Sequence, residues 1–189
     1  MRVAIPDDNP DPFSALGDYF SSEMVGASKN FSQAVYRKTQ LPLRVFEGAR
    51  ARTADINGCM VCRAFRAKRD LKDFYSVQAI DASGTVIENG AAPDEDFYQN
   101  VTNWRTYPGY DARERIAIEY AERFCLDPQG LASDEVFWAA AKAAFTDEEI
   151  VDLSQCIASF IASGRVAHVL GLDKVCSILE LGDAGSHVR

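Results

Sequence analysis

The chain has 189 residues, of which 47% are apolar, 11% aromatic and 25% charged, a mixture that fits a soluble globular protein of one domain or two small ones. A chain of this length buries roughly 70% of its unfolded surface, so it can build a core without a metal or a disulfide framework. With 20 Lys and Arg against 28 Asp and Glu the net charge is −8, which repels phosphate backbones and anionic headgroups and argues against nucleic acid as a partner.

The stretch Met1 to Asp8 breaks into Pro and acid before any apolar run forms, so no secretory signal is read there. Residues 1–30 are rich in Pro, Asp, Ser and Gly, with Phe13, Leu16, Tyr19 and Phe20 scattered among them. They read as an irregular arm, followed by a single domain over 31–189.

From Phe31 onward the pattern is helical. Pro42 starts a fresh helix with Leu43, Val45, Phe46 and Ala49 as candidate buried positions, and Asn57-Gly58 supplies the left-handed stop that helix C-termini favour. A second helix is predicted from Cys59 through Lys68. Asp73 to Ala92 is the least regular stretch, a loop or a short hairpin turning at Ser83-Gly84. Pro93-Asp94-Glu95-Asp96 is an acidic helix start, with Phe97, Val101 and Trp104 on one face.

Arg113 to Phe124 reads as a helix ended by Asp127-Pro128 and Gly130, and Ser133-Asp134-Glu135 opens another carrying Val136, Phe137, Ala140, Ala144 and Phe145. Thr146-Asp147-Glu148-Glu149 is a capping box. The helix behind it is the longest, with Val151, Ile157, Phe160 and Ile161 as core positions and Gly171 as its stop. A short helix is expected at Val175 to Leu181. The most apolar tract, Cys156 to Leu172, contains Arg165 and His168 and falls short of the roughly 20 residues of a membrane span. Seven or so helices with little strand signal predict an all-α domain. A cytoplasmic location is expected, with the five cysteines reduced unless chemistry uses them.

Cys59 and Cys62 form a C-x-x-C, whose spacing lets both sulfurs meet within one helical turn. At a helix start, free N–H groups and the dipole favour a thiolate. One thiolate can attack a peroxide or disulfide and the other can resolve the adduct. Arg66, four residues beyond Cys62, would lie on the same helical face and favour the thiolate further. A zinc site lacks its second half, since only His168 and His187 exist and no other close Cys pair is present. Two ordinary buried thiols are the plainer reading. Cys125, Cys156 and Cys176 stand alone among apolar residues, as inert buried thiols do.

Glu47 lies twelve residues before Cys59, and this Glu-x11-Cys-x2-Cys arrangement resembles the alkylhydroperoxidase D-like (AhpD-like), or carboxymuconolactone decarboxylase, family. The stretches Ala112–Glu122 and Phe145–Leu153, with Gly164-Arg165 and Leu170-Gly171-Leu172-Asp173, resemble its longer, peroxidase-related branch. The resemblance implies an all-helical AhpD-like bundle assembled as a homo-oligomer, with no cofactor. It implies Cys62 as the attacking thiolate, Cys59 as the resolving thiol and Glu47 as the feed of a proton relay. A small hydroperoxide and a dithiol reductant are then the partners. That relay also uses a His four residues past the second Cys, and here Arg66 stands there. Arg stays protonated, so it can hold a thiolate or an anion but cannot shuttle a proton.

Read without the resemblance, Glu47 among Arg44, Arg50 and Arg52 is equally a solvated helix charge. His168 reads as a core or interface histidine, and Trp104, Arg105 and Tyr107 as aromatic core with its flank. Three functions therefore compete: a thiol-dependent peroxidase, a cofactor-free lactone decarboxylase or isomerase, and a non-catalytic helical assembly with a vestigial C-x-x-C. The retained cysteine pair favours the first, and scarce His disfavours the second.

Overall fold

The structure, a computed structural model, describes residues 1–5 and 12–174. Within them lie ten α-helices and three 3₁₀ turns, and no strand. The helices are α1 (Pro12–Tyr19), α2 (Ser22–Lys38), α3 (Leu43–Asn57), α4 (Met60–Ala64), α5 (Ala67–Val77), α6 (Glu95–Gln99), α7 (Ala112–Leu126), α8 (Pro128–Ala132), α9 (Glu135–Ala144) and α10 (Asp147–Leu170).

The all-α expectation holds. The stretch from Asp73 to Ala92 carries no hairpin: α5 runs on to Val77, and a 3₁₀ turn at Val86–Glu88 follows the loop. The segment expected to be an irregular arm is largely helical, because Ala15 is fully buried in a cluster with Ile5 and Leu172 that holds α1 in place. The short helix expected at Val175 to Leu181 lies outside the described residues.

α3 is the hub. It packs most heavily on α7 and next on α10, and Val45, Phe46, Ala49, Ala54 and even Glu47 and Arg50 are buried on it. Small residues let the helices close: a Cβ at Gly48 would sit 3.0 Å from the Ile118 side chain on α7, and one at Gly164 of α10 would sit 2.7 Å from Asn57. The main core gathers Phe46, Leu71, Tyr75, Leu153, Ile157 and Phe160 between α2, α3, α5 and α10. A second cluster joins Phe97, Tyr98, Val101, Trp104, Tyr110 and Ile118.

The capping box at Thr146 and Glu149 is formed, and a second one, Asp111 with Glu114, starts α7. Asp127-Pro128 ends α7 as expected and also opens α8, with Asp127 accepting the Gly130 N–H. Val151, assigned to the core, faces outward instead at 61% exposed, and Val136 of α9 is 82% exposed. α10 is long and apolar enough, by length and composition, to cross a membrane, contrary to the expectation from the shorter tract inside it. In the fold its buried side, Leu153, Cys156, Ile157 and Phe160, packs against α2 and α3.

Candidate functional site

α3 ends where Gly58 takes a left-handed conformation at φ 72°, which an L side chain rarely adopts. That turn delivers Cys59 to the cap of α4, where its sulfur accepts the Cys62 backbone N–H at 3.3 Å. Cys59 and Cys62 are joined in a disulfide. The two sulfurs differ in surroundings: Cys59 is fully buried, packed with Val61 and Ala167, whereas Cys62 is only partly buried at the edge of that cluster.

Glu47 is fully buried, not a solvated helix charge. Its two oxygens accept Arg50 Nε at 2.7 Å and Nη2 at 2.8 Å, a bidentate pair one helical turn apart. The second oxygen also accepts the Tyr98 hydroxyl at 2.7 Å. Arg50 then reaches out of the pair, donating from Nη1 to the Cys62 carbonyl at 2.7 Å and from Nη2 to the Phe65 carbonyl at 3.1 Å. A carboxylate on α3 is thus linked through one guanidinium to the backbone of the second cysteine. Burial works against the charge on Arg50, but the Glu47 carboxylate outweighs it and holds the guanidinium well above its ordinary value. For Tyr98, burial and the same carboxylate both push the phenol up, so it stays a donor.

The helix predicted from Cys59 through Lys68 breaks at Phe65 and Arg66, both extended. The carbonyls a continuous helix would consume are taken by guanidinium groups. Phe65 O serves Arg50 and Arg66, Arg63 O serves Arg66, and Ala64 O serves Arg69. Arg66 therefore caps α5 and does not lie one turn along a helix from Cys62. Its guanidinium pairs with Glu95 at 2.7 and 2.8 Å and sits 4.5 Å from the Tyr98 ring centre. The Tyr98 hydroxyl, besides donating to Glu47, accepts the first N–H of α5, that of Ala67, at 3.1 Å.

Beside α4 opens a cleft of about 480 Å³ whose lining includes Asp55, Met60, Arg63, Arg66, Tyr98 and Thr102. Arg63 also approaches Asp55 at 3.6 Å, so both cations on this wall have carboxylate partners.

The far end of α10 meets the same motif. The His168 ring lies against Gly58, where a Cβ would come within 3.1 Å of Nε2. Its Nδ1 is 3.0 Å from an oxygen of Asp173, which also accepts the Met60 N–H at 3.0 Å. The His168 side chain is 44% exposed, not a core histidine. Burial opposes ionisation of Asp173, but the Met60 N–H and His168 outweigh it and lower its carboxyl below the ordinary range. Arg50, Tyr98, His168 and Asp173 were not read as site residues in the sequence. Only the spacing of Arg50 from Glu47 carried a local signal. Of the other cysteines, Cys125 and Cys156 are unbonded, and burial pushes both thiols up, as expected of inert ones. Cys176 lies outside the described residues.

No protein-family model matches the chain, and no curated protein matches it. Among solved structures, it is similar to a protein of unknown function from Agrobacterium tumefaciens, described as a candidate antioxidant defence protein AhpD. The two share 18% identity at a TM-score of 0.56, over 96% of this chain and all of the other. The likeness establishes an AhpD-like helical fold.

Proposed function

We propose that this chain is a dithiol oxidoreductase that reduces hydroperoxides through the Cys59–Cys62 pair. The observation that carries this reading is a pair of bonded sulfurs of unequal burial, hung on a buried Glu47–Arg50 ion pair. A nucleophile must meet its substrate, and Cys62 is the more accessible residue of the pair. The Cys62 thiolate attacks one peroxide oxygen, forming S–O as O–O breaks, and the leaving oxygen takes a proton and departs as alcohol. The Cys59 sulfur then attacks the sulfenic sulfur, forming S–S, losing its own proton and expelling water. A dithiol reductant returns two electrons and two protons by exchange. No cofactor is needed for this cycle.

Glu47 supports the cycle by fixing Arg50, which holds the Cys62 carbonyl and so the motif's conformation. Arg66, neutralised by Glu95, lines the cleft beside α4, whose lining includes neither cysteine, so a small hydroperoxide would reach Cys62 from its partly exposed side. The reading brings with it a homo-oligomer, tested by mass in solution.

Hydroperoxide consumption with dithiothreitol as reductant tests the roles. Cys62→Ser should abolish turnover. Cys59→Ser should stop turnover after one event and leave a sulfenic acid at Cys62 that a dimedone adduct traps. Full turnover by Cys62→Ser would overturn the proposal, and a sulfenic acid trapped at Cys59 in Cys62→Ser would reverse the two roles.

A further inference from the structure

We propose that His168 and Asp173 are the positioning pair of the cysteine motif and set the charge that Cys59 experiences. This rests on the dithiol reading. Two contacts bracket Cys59. On its N-terminal side the His168 ring lies against Gly58, and on its C-terminal side the Asp173 carboxylate accepts the Met60 N–H at 3.0 Å. The same carboxylate oxygen lies 3.0 Å from His168 Nδ1, so one pair touches both neighbours of the buried sulfur. Ala167, beside His168 on α10, is itself packed in the cluster with Cys59.

His168 is half-exposed and Asp173 fully buried, so the carboxylate is the member of the pair on the protein side, against the motif. Its negative charge, placed at the Met60 N–H that follows Cys59, favours the protonated thiol. Cys59 is in this way held as the proton-bearing resolving thiol, and Cys62 is left as the nucleophile. His168 acts through the backbone at residues 58 and 60.

The amino group of Met1 lies against Gly171 at the end of α10, and the charged groups of α10, α3 and α4 nearest the motif are engaged elsewhere. On α10, Arg165 donates to the Asn57 side chain at 2.9 Å and to the Cys125 carbonyl at 3.4 Å. On α3, Asp55 binds Arg52 at 2.8 Å and faces Arg63 of α4 at 3.6 Å. Among the described residues Asp173 is therefore the one charged group bonded to the imidazole.

The test is the pH dependence of the thiols, read on the reduced full-length protein by iodoacetamide labelling and peptide mass spectrometry between about pH 5 and 9. In the unaltered chain the Cys59 labelling midpoint should lie above that of Cys62. His168→Asn removes the imidazole bonded to Asp173 and should move the Cys59 midpoint while leaving Cys62 labelling within about twofold. Asp173→Asn keeps the Met60 hydrogen bond and removes the charge, so the Cys59 midpoint should fall by about one pH unit. Identical Cys59 profiles in all three proteins would overturn the proposal. So would equal slowing of Cys59 and Cys62 at every pH, the signature of a merely structural contact. A fall in melting temperature identifies a variant that folds poorly, and His168→Gln then provides the second reading of the Cys59 midpoint. Failure of the dithiol reading is distinguishable, because there Cys62→Ser would still consume hydroperoxide whatever the Cys59 profile shows.

Discussion

The α3–α7–α10 core and the short segment from Cys59 to Ala67 lie side by side but are held by different forces. In the core, Leu153, Ile157 and Phe46 are shut away from water against one another, and the helices end in side-chain caps written into the local sequence. In the segment, backbone carbonyls that would have completed a helix are handed to Arg50, Arg66 and Arg69. The core is a sum of many non-directional contacts and tolerates the loss of a few atoms gradually. The segment depends on a few directional bonds to guanidinium groups, of which those of the buried Arg50 are the costliest to leave unmade. The cysteine pair is carried by the second kind of structure, anchored on the first.

Four experiments would break or sharpen that contrast. The largest effect is expected from Glu47→Gln, a near-isosteric change that leaves Arg50 buried without its counter-charge. Breaking a buried pair from one side costs about 3–5 kcal/mol, read by urea unfolding. A cost under about 1 kcal/mol would mean that the ion pair does not hold the segment. Leu153→Ala, which removes three carbons from a fully buried site, should cost about 3 kcal/mol in the same assay. Equality between one exchanged atom in the segment and three deleted carbons in the core is the expected signature of the two regimes.

Thr146→Ala removes the cap oxygen of α10 and should cost about 1 kcal/mol, with no change in disulfide formation. The smallest effect is that of acid. For Asp173, Glu122 and Glu149 burial favours the neutral carboxyl, but hydrogen bonds and nearby cations prevail and lower each below its ordinary range. For Glu122 those partners are the Trp104 N–H, Arg105 and Arg52; for Glu149 they are the Thr146 N–H and Arg113. A depressed native value means that the unfolded chain binds the proton more tightly. The stabilisation is thus fully present above the ordinary carboxyl range and is lost as pH falls through the depressed values. Urea midpoints should be flat from pH 7 to about 5 and decline below about 4. Asp173→Asn should lessen the decline slightly, and a decline starting above pH 6 would implicate other groups.

Much of the core was legible because its signals are local. The stop at Asn57-Gly58, the Thr146–Glu149 box and the buried positions Val45, Phe46, Ala49, Ile157 and Phe160 follow from periodicity and cap chemistry within one or two turns. The spacing of Cys59 and Cys62 likewise named the pair that is bonded. The helices at the N-terminus were missed because Gly17, Gly26 and scattered polar residues weaken their pattern, while burial of Ala15 against Ile5 and Leu172 supplies what propensity does not. Val151 was misplaced because an apolar residue on a helix need not face the core.

The linear chain thus determined an all-helical fold, the helix from Pro42 and its stop at Asn57-Gly58, and two cysteines one turn apart, all properties that a residue settles with neighbours four positions away. Tertiary structure decided that the helix after Cys59 breaks at Phe65, that Glu47 is spent on Arg50 and Tyr98, and that Arg66 turns to Glu95. It also brought His168 and Asp173 to the cysteine motif from more than a hundred residues along the chain. These outcomes depend on which buried charge finds which partner. In a low-dielectric interior that choice is fixed by where helices cross, a quantity with no local signature in the sequence.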